Sequence, residues 1–335
     1  MTAHGFRLGP EDERPHVPDA AASYNESVYA NAFDTQTGAG GWMRLGNRVH
    51  EGNAELSVCL YLPDGRLAVQ FGKPAITTNE RFDAGGLSFD VGEPLRVVTM
   101  RYEGEVRLLE DAATLKDPRV AFGKAPKVPA RVAWTMTSIS PAHGGEPLTA
   151  EQPTAYGRDF SRGHFNFHTR VTGEIVIGSE HFPVHGHGWR DHSWGPRYWS
   201  NLFAHRLLTA NFGDDAGLML HKVEDKDGSV RRLGTVLLDG EYEEVEDLEL
   251  SIEWSAELEP TGARVAFRTA KRRELVTVRV RSLAPLRNRR TEGTEVLESR
   301  ILEAAADFRW GAREGRGMFE LVENLRDGLP VGYPL

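Results

Sequence analysis

The residues with the most chemical options lie in one short stretch, Trp189 to Trp199, which reads Trp-Arg-Asp-His-Ser-Trp-Gly-Pro-Arg-Tyr-Trp. It combines a carboxylate, an imidazole and guanidiniums with three of the seven tryptophans of the chain. Burying such polar groups in a core is costly unless each one has a partner. Aromatic walls around a few convergent polar groups are typical of small-molecule sites, so this stretch predicts the lining of a ligand cavity.

Asp191 is the residue of this stretch best suited to transfer a proton. Among indole side chains its carboxyl group would be desolvated, which favours a neutral acid able to protonate an alkene. His192 would position Asp191 or relay the proton to water. The ring faces of three tryptophans would stabilise a developing carbocation: Trp189, Trp194 and Trp199.

The two arginines of the stretch, Arg190 and Arg197, are candidate ligand-binding residues. A structural role is the alternative, in which Arg190 and Asp191 form an ion pair that fixes a turn between two units of the fold. In that case Trp194 is packing and Arg197 lies at the rim. A buried polar brace of this kind needs no chemistry to explain it.

Two histidines upstream suggest a different chemistry. The spacing His185-x-His187-x-x-x-Asp191 is similar to the cupin metal box, in which Glu usually takes the last place. The glycine expected before the box, Gly178, is one residue out of place. We therefore predict no metal, and we expect His185 and His187 to be hydrogen-bonded residues of the ligand site.

Charged residues far from this stretch are further candidates for the same cavity. Tyr24, Glu26 and Arg44 lie in the N-terminal part of the chain, and Glu320 follows a glycine-rich turn near the other end. We expect them to line the cavity from the other side. The alternative for Glu26 and Arg44 is a salt bridge at the surface or between domains, worth about 0–1 kcal/mol.

The composition excludes several classes of protein. Lys and Arg number 40 against 49 Asp and Glu, a formal net charge of -9, and no basic stripe dominates, so we expect no nucleic-acid partner. Cys59 is the only cysteine, which excludes an intrachain disulfide and a thiolate metal cluster. The polar N-terminus and the lack of a long apolar segment predict a cytoplasmic protein with no signal peptide or membrane span.

The elements that must position these residues are strands. Apolar residues recur with a period of two in segments 56–71, 132–136, 248–254 and 276–281, as in half-buried strands. The turn Pro63-Asp64-Gly65 predicts a hairpin in the first of them. Helical patterns are confined to 111–115 and to the region near Ala304, and both are short. We therefore expect an all-β fold.

A stretch without periodicity divides the chain. Residues 140–153 are rich in Ser, Pro and Gly, and we interpret 140–154 as a linker. It would join an N-terminal barrel over 23–139 to a C-terminal barrel over 155–335 that carries the Asp-His motif. Each unit is long enough for an antiparallel barrel of about eight strands, whose interior can hold one small ligand.

The segment Gly188–Gly195 resembles the Asp-His-x-x-Gly signature of the carotenoid 1,2-hydratase (hydroxyneurosporene synthase) superfamily, which is similar to kievitone hydratases and lipocalin-like Diels–Alderases. Together with Asn25-Glu26-Ser27 and Gly41–Gly46, it resembles a bacterial branch of that superfamily. The resemblance implies two consecutive lipocalin-like antiparallel β-barrels with few short helices. It further implies hydrophobic ligand space inside or between them, and Asp191 as the acid. Trp189 stands where the hydratases carry Tyr, so no phenol is implied to orient water there.

These observations predict a cofactor-independent hydratase, isomerase or cyclase that transfers protons to a hydrophobic, unsaturated, isoprenoid-like or polycyclic molecule. We expect no cofactor, because the sequence contains no glycine-rich phosphate loop or nucleophile elbow. The main alternative is a non-catalytic lipid or terpenoid binding protein in which Asp191 and Arg190 anchor a polar head group. A metal-dependent enzyme is the third possibility. The sequence does not indicate an oligomeric state.

Overall fold

A computed structural model describes residues 5–149, 161–197, 202–225, 227–292 and 295–331. These residues form two antiparallel sheets joined in sequence, so the predicted all-β class is confirmed. Trp199, one of the predicted ligand-binding residues, lies outside the described residues. Among the residues that are described, no helix is long and apolar enough to cross a membrane.

The first sheet contains strands β1 (Phe6–Arg7), β2 (Tyr24–Asp34), β3 (Gly40–Arg48), β4 (Asn53–Tyr61), β5 (Leu67–Gly72), β6 (Phe82–Ala84), β7 (Leu87–Glu93), β8 (Val97–Leu109), β9 (Lys127–Ser138), β10 (His143–Pro147), β11 (Gly163–Ile177) and β12 (Glu180–Pro196). Its pairings run β11-β12-β2-β3-β4-β5-β8-β9 and return from β9 to β11, which closes a barrel. The predicted hairpin at Pro63-Asp64-Gly65 joins β4 to β5.

The second sheet contains strands β13 (Leu202–Asn211), β14 (Ala216–Asp225), β15 (Val230–Leu238), β16 (Glu241–Trp254), β17 (Pro260–Thr269), β18 (Arg273–Glu292), β19 (Glu295–Trp310), β20 (Arg313–Arg326) and β21 (Leu329–Pro330). Each strand pairs with the next, and β13 also pairs with β20, so this sheet closes as well. The structure thus agrees with the prediction of two consecutive barrels.

Strand alternation fills the inside of each barrel with apolar side chains. In the first barrel Val28, Met43 and Trp134 belong to one buried cluster, and in the second Leu220 and Phe319 belong to another. The alternate residues of the same strands point outward, and on one side of each barrel they face the other barrel. Ligand space is therefore expected between the barrels.

The sheet pairing corrects the placement of the Asp-His motif. The division at 140–154 assigned the motif to the C-terminal unit, but β12 pairs with β2 and β11 pairs with β9. Both strands therefore belong to the first barrel, and the chain enters the second barrel only at β13. The position of the domain boundary itself stays a proposal, because 150–160 lies outside the described residues.

Helical segments in the described part of the chain are short: Pro10–Glu13, Val49–Glu51 and Ala112–Lys116 are 3-10 turns, and α1 is Pro118–Lys124. The expectation of helix near 111–115 is confirmed as one such turn, in which the side chain of Asp111 caps the first residues. The expectation of helix near Ala304 was wrong. That region is part of β19, where alternate residues pack into the second barrel and against the first.

A third apolar cluster holds the barrels together. It combines outward residues of the first barrel, such as Cys59 and Tyr61, with Ala305 and Met318 of the second. Hydrogen bonds cross the same interface: the Tyr61 hydroxyl donates to the Glu303 carbonyl at 2.9 Å. The Asn211 amide donates to the carbonyl of Gly188 at 2.9 Å. Residues of both barrels are thereby brought to one site.

Candidate functional site

A cavity of about 430 Å³ lies between the two barrels. Its volume falls within the ~300–1,000 Å³ typical of small-molecule sites. The first barrel contributes outward residues of β2, β3, β4 and β12, and the second contributes outward residues of β13, β18, β19 and β20. The aromatic lining residues are Tyr29, Trp42, Phe71, Phe122 and Trp189. The cavity therefore offers apolar walls to a ligand, with polar groups at defined places.

Asp191 projects into this cavity from β12. Its Oδ2 atom lies 3.4 Å from Nε2 of His164, which is buried on the neighbouring strand β11. The side chain of Asp191 is 16% exposed, so it can reach a ligand. Trp189, two residues earlier, lines the same wall. The pairing of a reachable carboxylate with an imidazole is suited to proton transfer.

The opposite wall carries a pair of carboxyl groups. Glu303 of β19 lies directly across from Glu320 of β20, and both line the cavity. Burial, reinforced by the charge of Glu320, raises the pKa of Glu303 well above its ordinary value. Nε2 of His205 lies 3.2 Å from Oε1 of Glu320, and Nδ1 of His205 lies 3.1 Å from Nε2 of the buried His221.

Tyr29 connects the two walls. Burial raises the pKa of its hydroxyl well above the ordinary value, and the carboxyl groups of Glu303, Glu320 and Asp191 contribute to the same shift. Its ring contacts the ring of Trp189 edge to face at a centroid distance of 6.0 Å. The phenol therefore stays protonated and lies within electrostatic reach of all three carboxyl groups.

Arginines hold a separate carboxylate of the cavity in its charged form. Nη1 of Arg44 lies 3.0 Å from Oε2 of Glu55, and Nε of Arg48 lies 2.7 Å from Oε1. Although burial raises the pKa of Glu55, these charges lower it to about 2. Arg197 donates to the Ser193 hydroxyl at 2.7 Å, and burial together with the charge of Arg44 lowers its pKa to about 9.

Other predicted site residues point away from the cavity, because neighbours along a strand face opposite sides. Arg190 is fully buried inside the first barrel, where it donates to Glu13 at 2.9 and 3.3 Å. The guanidinium also lies 4.3 Å from the centroid of the Phe167 ring. The suggested ion pair between Arg190 and Asp191 is therefore replaced by a pair between Arg190 and Glu13.

His192, Glu26 and Tyr24 meet at one end of the same barrel interior. Nε2 of His192 lies 3.0 Å from Oε1 of Glu26, and the Tyr24 hydroxyl donates to Oε2 at 2.8 Å. Nδ1 of His16 lies 2.6 Å from the same Oε1. Burial raises the pKa of Glu26, but hydrogen bonds from the two histidines lower it to about 2. His192 thus contacts Glu26 and not Asp191.

The N-terminal segment closes this end of the barrel. The His16 ring stacks on the ring of Trp194 at a centroid distance of 4.0 Å, and Trp194 packs with Phe165 and Phe167. Trp194 therefore covers the barrel end and does not line the cavity. Gly195 has a φ of 116°, and a Cβ atom there would lie 2.6 Å from the Arg162 amide nitrogen. The last position of the Asp-His-x-x-Gly motif thus requires glycine, because a side chain there would be strained and would clash with the backbone.

The structure does not bring His185, His187 and Asp191 together as the alternative of a metal site would require. His185 is exposed, and Nε2 of His187 lies 2.9 Å from Oδ1 of Asp214 at the surface. His187 and Asp191 are four positions apart along β12, a span of roughly 13 Å. Within the described ranges, the group whose ligand atoms all lie within 4.8 Å of one another is His16, Glu26 and His192.

The structure therefore brings five predicted site residues to the cavity: Arg44, Trp189, Asp191, Arg197 and Glu320. The residues of this lining that sequence reasoning missed include Tyr29, Glu55, His164 and Glu303. A signal existed for Glu303, because it is the one charged residue between Ile301 and Asp307. A lone acid on an apolar strand face needs a reason to be there.

Solved structures that share this fold include the following three. A candidate AttH from Nitrosomonas europaea has 16% sequence identity and a TM-score of 0.59, and the match covers 96% of this chain and 98% of that one. Kievitone hydratase from Nectria haematococca has 10% identity and a TM-score of 0.56, with 95% of this chain and 93% of that one covered. CghA with Sch210972 has 12% identity and a TM-score of 0.55, with 92% of this chain and 90% of that one covered. The resemblance to hydratase-like lipocalin-fold proteins is thus confirmed for the fold.

The sequence matches none of the curated proteins with which it was compared. One family covers almost the whole of it, over residues 9–325, which include both barrels and every residue of the cavity described above. The chain therefore belongs to the family described as Domain of unknown function (DUF7064).

Proposed function

We propose that this protein is a cofactor-independent hydratase, isomerase or cyclase that transfers protons on a hydrophobic, unsaturated small molecule bound between its barrels. The observation that carries the proposal is the placement of Asp191. Its carboxyl group, partly exposed and 3.4 Å from His164, projects into a cavity whose walls include five aromatic side chains. A carboxyl group in such surroundings can exchange a proton with a bound alkene or enol.

The similar structures support the class of chemistry. One is named as kievitone hydratase, and another, CghA, was solved with Sch210972. Hydration can be carried out on an unsaturated apolar substrate by positioning and proton transfer. Because one fold serves many reactions, the argument for this chain depends on its own cavity residues.

The roles of the partner residues follow from the geometry. His164 is the imidazole in contact with Asp191, so in this proposal it takes the positioning and relay role that the sequence suggested for His192. Trp189 and Tyr29 supply ring faces beside Asp191, where a developing positive charge would be stabilised by about 0.5–2 kcal/mol. In this proposal Arg197 and Arg44, which line the same cavity, bind a polar group of the ligand.

The test is a comparison of wild type with Asp191→Asn in heavy water. Native mass spectrometry first identifies small molecules that co-purify, and these and related terpenoids and polyketides are then incubated with each variant. We expect wild type to give an isomer, a cyclised product or a water adduct that carries solvent deuterium. Asp191→Asn should lower turnover by about 10²–10⁴ while affinity stays within about tenfold.

Asp214→Asn is the matched control, because Asp214 is a half-exposed aspartate that also contacts a histidine. It should leave turnover unchanged. A ligand that binds wild type tightly but is never converted would support the non-catalytic binding protein instead. Normal turnover by Asp191→Asn would exclude Asp191 as the proton-transfer group.

A further inference from the structure

The carboxyl group of Glu303 is unusual among the acids of the cavity. The residue is 5% exposed, it lines the cavity, and within the described structure its Oε2 atom has no hydrogen-bond partner. Leaving a buried carboxyl oxygen without a partner is costly. Because Glu303 also lines the cavity, a ligand bound there is the group available to supply the missing partner.

Among the residues described, no lysine, arginine or histidine forms an ion pair with Glu303. The titratable groups that interact with it are Glu320 on β20, Tyr29 on β2, and Cys59 and Tyr61 on β4. Each of them is neutral or negative at neutral pH. Two neighbouring carboxyl groups repel each other when both are ionised, which favours a proton on one of them.

The proton of the pair belongs on Glu303. Glu320 is the more exposed of the two, with 20% of its side chain accessible, and it lies 3.2 Å from Nε2 of His205. A carboxylate charge is better solvated there than on Glu303. Glu303 is therefore the neutral acid of the pair, on a side chain that lines the cavity.

We propose that Glu303 is a second functional group of the cavity, a neutral carboxylic acid that donates to an oxygen atom of the ligand, and that this ligand is an apolar carbonyl compound. The inference rests on the proposed function. Asp191 on one wall of the cavity transfers protons, and Glu303 on the opposite wall binds the oxygen atom of the ligand. Tyr29 provides a second O–H group near the same place. A phenol and a neutral carboxylic acid together can stabilise an enol or enolate oxygen.

The corresponding reaction needs no co-reactant. The Asp191 carboxylate takes a proton from a carbon next to the carbonyl group, and the C–H electron pair becomes a carbon–carbon double bond. The electron pair of the carbonyl π bond takes the proton of Glu303, which gives an enol. Asp191 then returns its proton to a different carbon while Glu303 recovers its own. The net change is the migration of a double bond in an unsaturated ketone.

The first test needs no substrate. Infrared difference spectra at neutral pH, of wild type against Glu303→Gln, should show the C=O band of a protonated carboxylic acid lost in the variant. Glu55→Gln is the matched control, because Glu55 lines the same cavity but is held as a carboxylate by two arginines. It should leave that band intact. Absence of the band from wild type would overturn the proposal.

The second test uses a matched pair of probes, acetophenone and α-methylstyrene, which differ by an oxygen in place of a methylene group. Equilibrium dialysis should show wild type binding acetophenone about 5–10-fold more tightly, as expected for one net hydrogen bond. Glu303→Leu should remove this preference while it still binds α-methylstyrene. An equal affinity of wild type for both probes, or a preference that survives in Glu303→Leu, would contradict the proposal.

The two proposals fail in different ways. If the acid band and the acetophenone preference are found but Asp191→Asn turns over normally, the assignment of Glu303 as a neutral ligand-binding acid stands and the role of Asp191 fails. If the band is absent and Asp191→Asn abolishes turnover, proton transfer by Asp191 stands and the assignment of Glu303 fails.

Discussion

Arg190 and Asp191 are adjacent in sequence and project to opposite sides of β12. Asp191 enters the cavity between the barrels, whereas Arg190 is buried inside the first barrel and pairs with Glu13 of the N-terminal segment. One face of β12 thus contributes to the ligand site, and the opposite face contributes to the stability of the barrel. Substitutions at these two positions should therefore have separable effects.

The pair between Arg190 and Glu13 should be important for stability. Glu13→Gln removes the carboxylate charge and leaves a fully buried guanidinium without its counter-ion. Breaking a buried pair in this way costs about 3–5 kcal/mol. Urea unfolding at neutral pH should show a loss of this size in the free energy of unfolding.

An exposed ion pair supplies the control for this measurement. Arg170 and Asp214 form a bidentate pair in which each side chain is about half exposed, so Asp214→Asn should cost only about 0–1 kcal/mol. If Glu13→Gln costs no more than Asp214→Asn, the view that Arg190 is a structural residue of the barrel is wrong.

Stability should also depend on pH through His16. Burial lowers the pKa of His16, but the hydrogen bonds that its ring donates to Glu26 and Asp12 raise it above the ordinary value. A raised histidine pKa adds stability that is fully present below about pH 6.5 and is lost as pH rises through the pKa of the folded state. His16→Gln should therefore cost more stability at about pH 5.5 than at about pH 8.5.

Thermal unfolding of the two proteins across this range measures the effect. Titration of the partner Glu26 does not contribute to this pH dependence, because the pKa of Glu26 is about 2 and its carboxylate stays charged over this range. A cost of His16→Gln that is equal at both pH values would show that His16 is not protonated in the native state near pH 6.

The fold could be predicted from the sequence because strand alternation is a local property. Segments such as 248–254 and 276–281 carry it in their residue types, and both lie in strands of the second barrel. The region near Ala304 gave the wrong prediction because alanine favours helices locally. Here small side chains are required by packing, since Ala305 lies where the two barrels meet.

The site could be predicted only in part, for a related reason. The composition of 189–199 indicated a cavity, and Asp191, Trp189 and Arg197 do line one. Which partner meets Asp191 is decided by register, and the register places Asn166 directly across from it and His164 on the same face. Sequence neighbours such as His192 necessarily face the other side. The sequence around Asp191 therefore does not indicate a partner that a different strand supplies.

Metal content gives a further prediction. The histidines at 185 and 187 are not assembled with Asp191, and the group His16, Glu26 and His192 is already hydrogen-bonded, with Glu26 also accepting from Tyr24. We expect elemental analysis of the purified protein to find no stoichiometric transition metal. A chelator should leave the melting temperature unchanged.

A metal bound one per chain, whose removal lowers the melting temperature, would contradict this and would point to the histidines beside Glu26. His192→Asn would then separate the two sites, because it should abolish metal binding there while leaving the cavity between the barrels intact. If His192→Asn keeps the metal, the metal is bound elsewhere, and His187 with Asp214 is the next site to test.

Glu303 and Glu55 line the same cavity and should give opposite dependences of stability on pH. Burial and the charge of Glu320 raise the pKa of Glu303, so the folded state keeps a proton that the unfolded chain releases above about pH 4.5. Glu303 therefore lowers stability as pH rises above that value. Burial raises the pKa of Glu55, but Arg44 and Arg48 lower it to about 2. Glu55 therefore adds stability that is present above about pH 4.5 and is lost as pH falls toward 2.

Glu303→Gln should consequently gain stability relative to wild type as pH rises from about 4.5 to 8, whereas Glu55→Gln should lose it as pH rises from about 2 to 4.5. Urea unfolding of the three proteins at intervals across this range gives both slopes. The comparison depends on environment alone, because both substitutions replace a glutamate of one cavity with glutamine. If the stability of Glu303→Gln relative to wild type stays flat or falls with rising pH, Glu303 is ionised in the native protein and cannot donate a proton to a ligand.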